Sequence, residues 1–212
     1  MLLNRVERAF VNHPVRFWMQ RHLELPRMVG LGGCISGSRV LEVGCGRGKG
    51  VRLLLESLGA ARVDAFDLDP AMVELARAEL AGFGDRSRVW QGSVTAIDAP
   101  DAAYDAVFDF GILHHVPRWR DGLAEIHRVL APGGRLFAEE ALAEFILHPL
   151  WRRVLDHPLE DRFDRATFER ALVERGFALL GSDAVGQSFA WFAAQKARDG
   201  RGLLPPGAER RG

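Results

Sequence analysis

Apolar residues along this chain follow two rhythms. Over the first thirty positions Leu2, Leu3, Val6 and Phe10 recur at helical spacing with Arg5 and Arg8 between them. Pro14 interrupts, and Phe17, Trp18, Leu23 and Leu25 carry the pattern on until Pro26, which predicts an N-terminal helical extension ending there. From Arg39 onward short apolar runs alternate with helical patterns, as in a parallel sheet with crossover helices. Strands are expected at 39–43, 62–66, 87–91, 104–109 and 134–139, with two more near 177–184 and 189–195. Between them Val51, Leu54, Leu55 and Leu58 make one helical face, Met72, Val73, Leu75, Ala76 and Leu80 a second, and Leu123, Ile126, Val129 and Leu130 a third. Asp69 before Pro70 is placed to cap one helix and Asp164 another. Pro132, Gly133 and Gly134 are expected to stop a helix ahead of the fifth strand, and Gly176 to end the last helix. Residues 141–163 break the rhythm.

At 212 residues the chain closes one full core, and a second domain would have to be small. The expected division is an extension over 1–30, one domain over 31–197 and a disordered tail over 198–212. With 48% apolar and 26% charged residues the chain reads as globular. Its 28 basic side chains balance 28 acidic ones, so no net field draws in a polyanion and nucleic acid is not an expected partner. No window approaches the roughly 18 apolar residues of a membrane span. Arg5, Glu7 and Arg8 stand where a signal peptide needs an apolar centre, so a cytoplasmic location is expected. Cys34 and Cys45 are the only cysteines, too few for a disulfide framework or a cysteine-rich zinc site. Within the extension Arg5, Arg8, Arg16, Arg21 and Arg27 face only Glu7 and Glu24. Besides simple packing, a lid over a site is the preferred reading of it. A foot on a membrane surface is the other, and such contact is not favoured.

The densest chemical signal is Val40-Leu41-Glu42-Val43-Gly44-Cys45-Gly46-Arg47-Gly48-Lys49-Gly50. An apolar strand bearing one carboxylate runs into alternate glycines, a bare-backbone turn that lets a ligand lie against the main chain beside a helix N-terminus. A P-loop is excluded by spacing: only three residues separate Gly44 from Gly48-Lys49, and Gly50 offers no hydroxyl. A nicotinamide or flavin site prefers glycines at a different spacing, which is a weaker distinction. Asp67 ends the second strand, where a carboxylate accepts both ribose hydroxyls of an adenosine. It points to a nucleoside without naming it.

Val40 to Gly50, followed by Ala65-Phe66-Asp67-Leu68-Asp69-Pro70 and a helix rich in Ala, Glu and Leu, resembles the class I S-adenosylmethionine-dependent methyltransferases. Tyr104 to Phe108, Leu113-His114-His115-Val116-Pro117 and His127 to Leu136 are similar to the small-molecule branch that includes the ubiquinone and menaquinone biosynthesis methyltransferases. The resemblance covers roughly residues 38–195. It implies a Rossmann-like, doubly wound α/β fold with a seven-stranded sheet, mostly parallel with an antiparallel last strand, and makes 31–197 the methyltransferase domain. It implies S-adenosylmethionine as cofactor, S-adenosylhomocysteine as product and a small-molecule acceptor, apolar or aromatic. Gly44, Cys45, Gly46 and Gly48 would pass under the methionine portion, with Glu42 orienting the turn or the amino group. Asp67 would hold the ribose and Leu68 the adenine face, with Ser93 and Val94 edging the ring. An Asp is usual where Ser93 stands, so a neutral acceptor replaces a charged one there. Asp109 and Phe110 would border the methyl.

Methyl transfer from a sulfonium needs an aligned nucleophile and the exclusion of water, without a metal. If the acceptor must lose a proton, His114, His115, Glu139, Glu140 and His148 are the candidate bases, with His114, His115 and Glu139 foremost. Because adjacent strand residues point oppositely, one of Glu139 and Glu140 is expected to face the pocket and the other solvent. Phe145 to Arg153, including Trp151, lies where the family varies to choose acceptors, and Phe17 and Trp18 could join it as a wall. His13, His148 and His157 match no recognised ligand spacing, so no metal is expected. Rival readings are methylation of a lipid headgroup at a membrane surface and a cofactor-binding scaffold without turnover.

Overall fold

Seven strands build one sheet in the order β3-β2-β1-β4-β5-β7-β6 in the computed structural model, which describes residues 13–149 and 160–198. The expectations for Leu2, Leu3, Val6 and Phe10, for Trp151 and His157, and for the tail from 199 onward lie outside the described residues. The strands are β1 (Arg39–Val43), β2 (Arg62–Asp67), β3 (Ser87–Gln91), β4 (Tyr104–Phe110), β5 (Leu130–Ala141), β6 (Phe177–Val185) and β7 (Phe189–Lys196). β1 to β5 run parallel, and β7 lies antiparallel between β5 and β6. This is the seven-stranded arrangement the motifs imply. The strand starts and ends fall close to the hydrophobic runs, with one correction. β5 begins at Leu130, ahead of Pro132-Gly133-Gly134, because Leu130 already pairs with Tyr104 before the register shifts to Ala106 opposite Arg135. The three residues form an irregularity inside the strand.

Helices cover both faces: α1 (Pro14–Met19), α2 (Leu25–Gly32), α3 (Lys49–Glu56), α4 (Pro70–Leu80), α5 (Trp119–Val129), α6 (Ala143–Leu147) and α7 (Arg165–Glu174). Side-chain alternation sorts the core accordingly. Leu41, Val43, Val107, Leu136 and Ala138 pack with Trp119, Leu123, Ile126 and Phe168. Val40, Ala65, Phe108, Phe137 and Ala193 pack on the other side with Met28, Val51, Leu54 and Leu80. The expected caps form: Asp69 accepts from the Ala71 amide at 2.9 Å and Asp164 from that of Thr167 at 2.7 Å.

Pro26 does not end the N-terminal helix. A π-helical turn over Gln20–Glu24 joins α1 to α2, and Pro26 sits in the first turn of α2, where its missing N–H costs little. The chain therefore stays helical to Gly32. Away from the glycine turn, Asp64 is fully buried yet held by Arg39, Arg62 and the Tyr104 hydroxyl, which outweigh burial and keep its carboxyl below the usual range. Its role is structural.

Candidate active site

Strand register decides what meets at the carboxyl ends of the sheet. Val43 is level with Phe66 on one side and Asp109 on the other, and Phe110 is level with Glu139. The glycine turn, Asp67, Asp109 and Glu139 therefore emerge along one edge. In the turn Gly44, Gly46 and Gly48 have φ of 64°, 51° and 79°, the left-handed conformations that their spelling predicts. A Cβ on Gly46 would meet nothing within 4 Å, whereas one on Gly44 would collide with the Ile112 side chain. The turn is thus packed from below and open at Gly46. Asp67 spans it, accepting from the Gly46 amide through Oδ2 at 2.8 Å and from the Asp69 amide through Oδ1 at 2.9 Å. Leu68 beside it is 44% exposed, a bare apolar surface at the mouth. Ser93 accepts from the Thr95 amide at 3.3 Å and lies 2.9 Å from its hydroxyl, while Val94 and the Cys45 thiol are turned into the core. Burial pushes the Cys45 thiol up, so it is no nucleophile.

Carboxylates crowd this edge. Glu42 is buried behind the turn against Gly50, and burial, with Asp67 and Asp109 adding repulsion, raises its pKa well above the usual range. Asp109 is raised likewise, by burial and then by Glu140. Glu42 Oε2 is buried without a donor, and Asp109, which holds its proton, shares a hydrogen bond with Glu140. Such an orphaned acceptor is costly and suits a site awaiting a cationic, hydrogen-bonding ligand.

Glu139 and Glu140 point to opposite faces, but neither meets solvent: Glu140 is fully buried and Glu139 nearly so. Each has neighbours to keep it inside. On the α5 side Glu140 accepts from the Leu113 and His114 amides, both at 3.1 Å, and lies 2.6 Å from His114 Nδ1. Asp109 Oδ1 accepts from the Ile112 amide at 2.7 Å. These bonds fix the 3-10 turn Leu113–His115 after β4. Burial raises Glu140 to about 7. His114 is buried and the half-buried His115 ring lies against it, centroids 4.2 Å apart. Arg162 donates to the His114 carbonyl, and the Ala143 amide donates to the Phe163 carbonyl at 2.9 Å. His148 is exposed beyond α6.

On the α3 side Glu139 meets the N-terminal segment. Arg16 donates to Glu139 Oε1 at 3.2 Å and also to Glu24; both carboxylates are buried and Arg16 is half-buried. Burial raises Glu139, and a second carboxylate sharing the same guanidinium adds to it. Phe17 lies 5.7 Å beneath the Lys49 ammonium at the start of α3. The extension therefore forms a wall of the site. Trp18 does not join that wall; it is exposed and tilted against His22 at 5.3 Å. The foremost candidate bases thus split, His114 and His115 on one face and Glu139 on the other. Arg16 and Glu24 are the residues that sequence reasoning missed: an α-helix sets residues eight apart roughly 80° from each other, and the intervening π-turn brings them into line. Among the described residues no three His, Cys, Asp or Glu side chains come together as a metal-ligand set.

The bare turn at Gly46, the Asp67 carboxylate, exposed Leu68 and the buried carboxyls of Glu42 and Asp109 fit S-adenosylmethionine, which carries a nucleoside and positive charge. A family described as a methyltransferase domain matches residues 40–134. The chain is 34% identical over 135 residues to a fatty-acid O-methyltransferase of Mycolicibacterium smegmatis, covering 62% of this chain and 47% of that protein. It is 35% identical over 103 residues to a demethylmenaquinone methyltransferase of Thermus thermophilus, covering 48% and 46% respectively. The chain thus spans about half the length of the curated relatives it matches. Its fold is similar to that of an S-adenosylmethionine-dependent methyltransferase from Aquifex aeolicus, with a TM-score of 0.71 at 20% identity over 91% of this chain and 98% of that one. Motifs, topology and these likenesses agree on a class I S-adenosylmethionine-dependent methyltransferase domain, with the family match lying over residues 40–134.

Proposed function

We propose that this chain transfers the methyl group of S-adenosylmethionine to a small apolar or aromatic acceptor. The observation that carries the reading is the buried carboxyls of Glu42 and Asp109, the first with a donorless oxygen, beside a glycine turn open at Gly46. Two desolvated carboxyls there ionise readily only beside positive charge, so they favour a ligand with net positive charge and disfavour an anionic dinucleotide. When bound, the cofactor supplies an electrophilic methyl on a positively charged sulfur. The chain's own groups do the rest. Gly46 lets the main chain approach, Asp67 accepts the ribose hydroxyls, Leu68 packs on the adenine, and Phe110 borders the acceptor. The Arg16–Glu139 contact and Phe17 close the α3 side against water. If a hydroxyl or carbon acid is methylated, the turn carrying His114 and His115 takes its proton, with Glu140 orienting His114. Glu139 is committed to Arg16 and serves the wall.

The acceptor class draws support from the relatives, whose names denote methylation of a fatty acid and of demethylmenaquinone, both apolar. Calorimetry with S-adenosylmethionine and S-adenosylhomocysteine tests the cofactor, followed by transfer of a labelled methyl to hydroxylated apolar acceptors. Submillimolar binding of both and label in an organic-soluble product are expected. Failure of both to bind, with binding of a dinucleotide instead, overturns the reading.

A further inference from the structure

The N-terminal segment has a second face that the site does not use. Val15, Trp18 and Leu23 are 54%, 55% and 50% exposed, among the most exposed large apolar side chains described. The π-turn brings them together. At about 100° per residue an α-helix would set Leu23 roughly 80° from Val15, toward the side where Arg16 lies. The wider i→i+5 turn advances less per residue and returns Leu23 to the Val15 side, while Glu24 stays inside on Arg16. His22 lies tilted against Trp18 at the same surface. Arg21 is exposed nearby and makes no ion pair among the described residues. The acid of this stretch, Glu24, is turned inward and buried. What remains outward is therefore apolar and basic, with a tryptophan at its centre, the composition of a helix that lies in a lipid headgroup layer.

Area separates a lipid surface from a protein partner. The three side chains expose on the order of 300 Å² together, against about 800 Å² covered on each partner of a stable protein pair. A few inserted apolar groups with an arginine suffice at an interface with anionic lipid. We infer that the outward face formed by Val15, Trp18 and Leu23, flanked by Arg21 and His22, docks this protein reversibly on an anionic lipid surface. The inference goes beyond methyl transfer and does not depend on it. Opposite faces of one short helical segment then touch the lipid and wall the site.

Flotation of the full chain with vesicles tests this, using phosphatidylcholine alone and phosphatidylcholine with one third phosphatidylglycerol. The bound fraction is expected to rise several-fold with the anionic lipid. The triple variant V15D/W18D/L23D should lose binding at least tenfold while its melting temperature and S-adenosylmethionine affinity are unchanged. Arg21→Glu should remove most of the dependence on anionic lipid. No flotation of the wild type with either vesicle overturns the inference, as does equal flotation of the triple variant. A wild-type dimer in size-exclusion chromatography that the triple variant converts to monomer also overturns it, because a second copy would then own the face. Failure of the wild type to bind S-adenosylmethionine in calorimetry would overturn the methyltransferase reading and leave the vesicle result standing.

Discussion

Alanine at Gly46 and at Gly44 should have different consequences, although only one residue separates them in the turn. At Gly46 the added Cβ meets nothing within 4 Å, so the protein without ligand pays only for a left-handed backbone at φ 51°, about 1–2 kcal/mol. For a chain of 212 residues that lowers the melting temperature by roughly 2–8 °C. The same Cβ stands where the cofactor must approach, and overpacking of about 1–3 kcal/mol weakens binding roughly 5- to 150-fold. At Gly44 the Cβ instead collides with Ile112, itself anchored through its amide to Asp109. There the backbone strain and the repacking add, so stability falls more than in Gly46→Ala. Thermal denaturation and S-adenosylmethionine titration of both variants give the comparison. Gly46→Ala with wild-type affinity would refute the assignment of this turn as the surface that the cofactor lies on. Gly44→Ala as stable as Gly46→Ala would refute the packing argument.

Three further outcomes follow from the geometry. Asp67→Ala should weaken cofactor binding by about 1.5–3 kcal/mol, since a charged acceptor is lost together with the clamp on the Gly46 amide; unchanged affinity in calorimetry would remove Asp67 from the site. Arg16→Ala leaves Glu24 and Glu139 buried without their guanidinium, a loss of roughly 3–5 kcal/mol if the segment stays docked. Undocking limits that loss, so faster amide exchange over residues 13–24 is expected, and unaltered exchange would show that Leu25 and Met28 alone hold the segment. Glu140 keeps its proton to about 7 in the folded chain, against 4.5 for an ordinary glutamate. The folded state therefore binds more protons across that window, and stability of the ligand-free protein must fall as pH rises through it. Melting curves of wild type and Glu140→Gln check the sign: the slope should flatten in the variant, and an equal slope in both would place its origin elsewhere.

The fold was legible because its signals are local. β1 and β3 begin and end at the residues their apolar runs mark, and Asp69 and Asp164 cap where their side chains predict. Pro26 misled because its effect depends on the turn before it, and a π-turn leaves no mark in a window of apolar periodicity. The glycine turn and Asp67 were legible for the same local reason. The environments of the two glutamates were not: alternation gave their opposite directions, but that both would be buried depends on Arg16 and His114, which lie 123 and 26 residues away. Trp18 shows the converse, an apolar residue in an apolar pattern that faces outward.

The hydrogen bond from Ala143 to Phe163 has a consequence for how this protein can change. Chain leaving the sheet after β5 returns to within one hydrogen bond of its departure, and the return is riveted by Arg162 on the His114 carbonyl and by Asp161, which accepts from the Trp119 indole at 2.9 Å and holds Arg120. The two ends of this excursion are thus held together. Because closure entropy grows only as the logarithm of loop length, doubling such an insert costs about 0.6 kcal/mol. Exchanging the chain between these anchors is therefore expected to cost little stability and to leave the glycine turn and Asp67 in place.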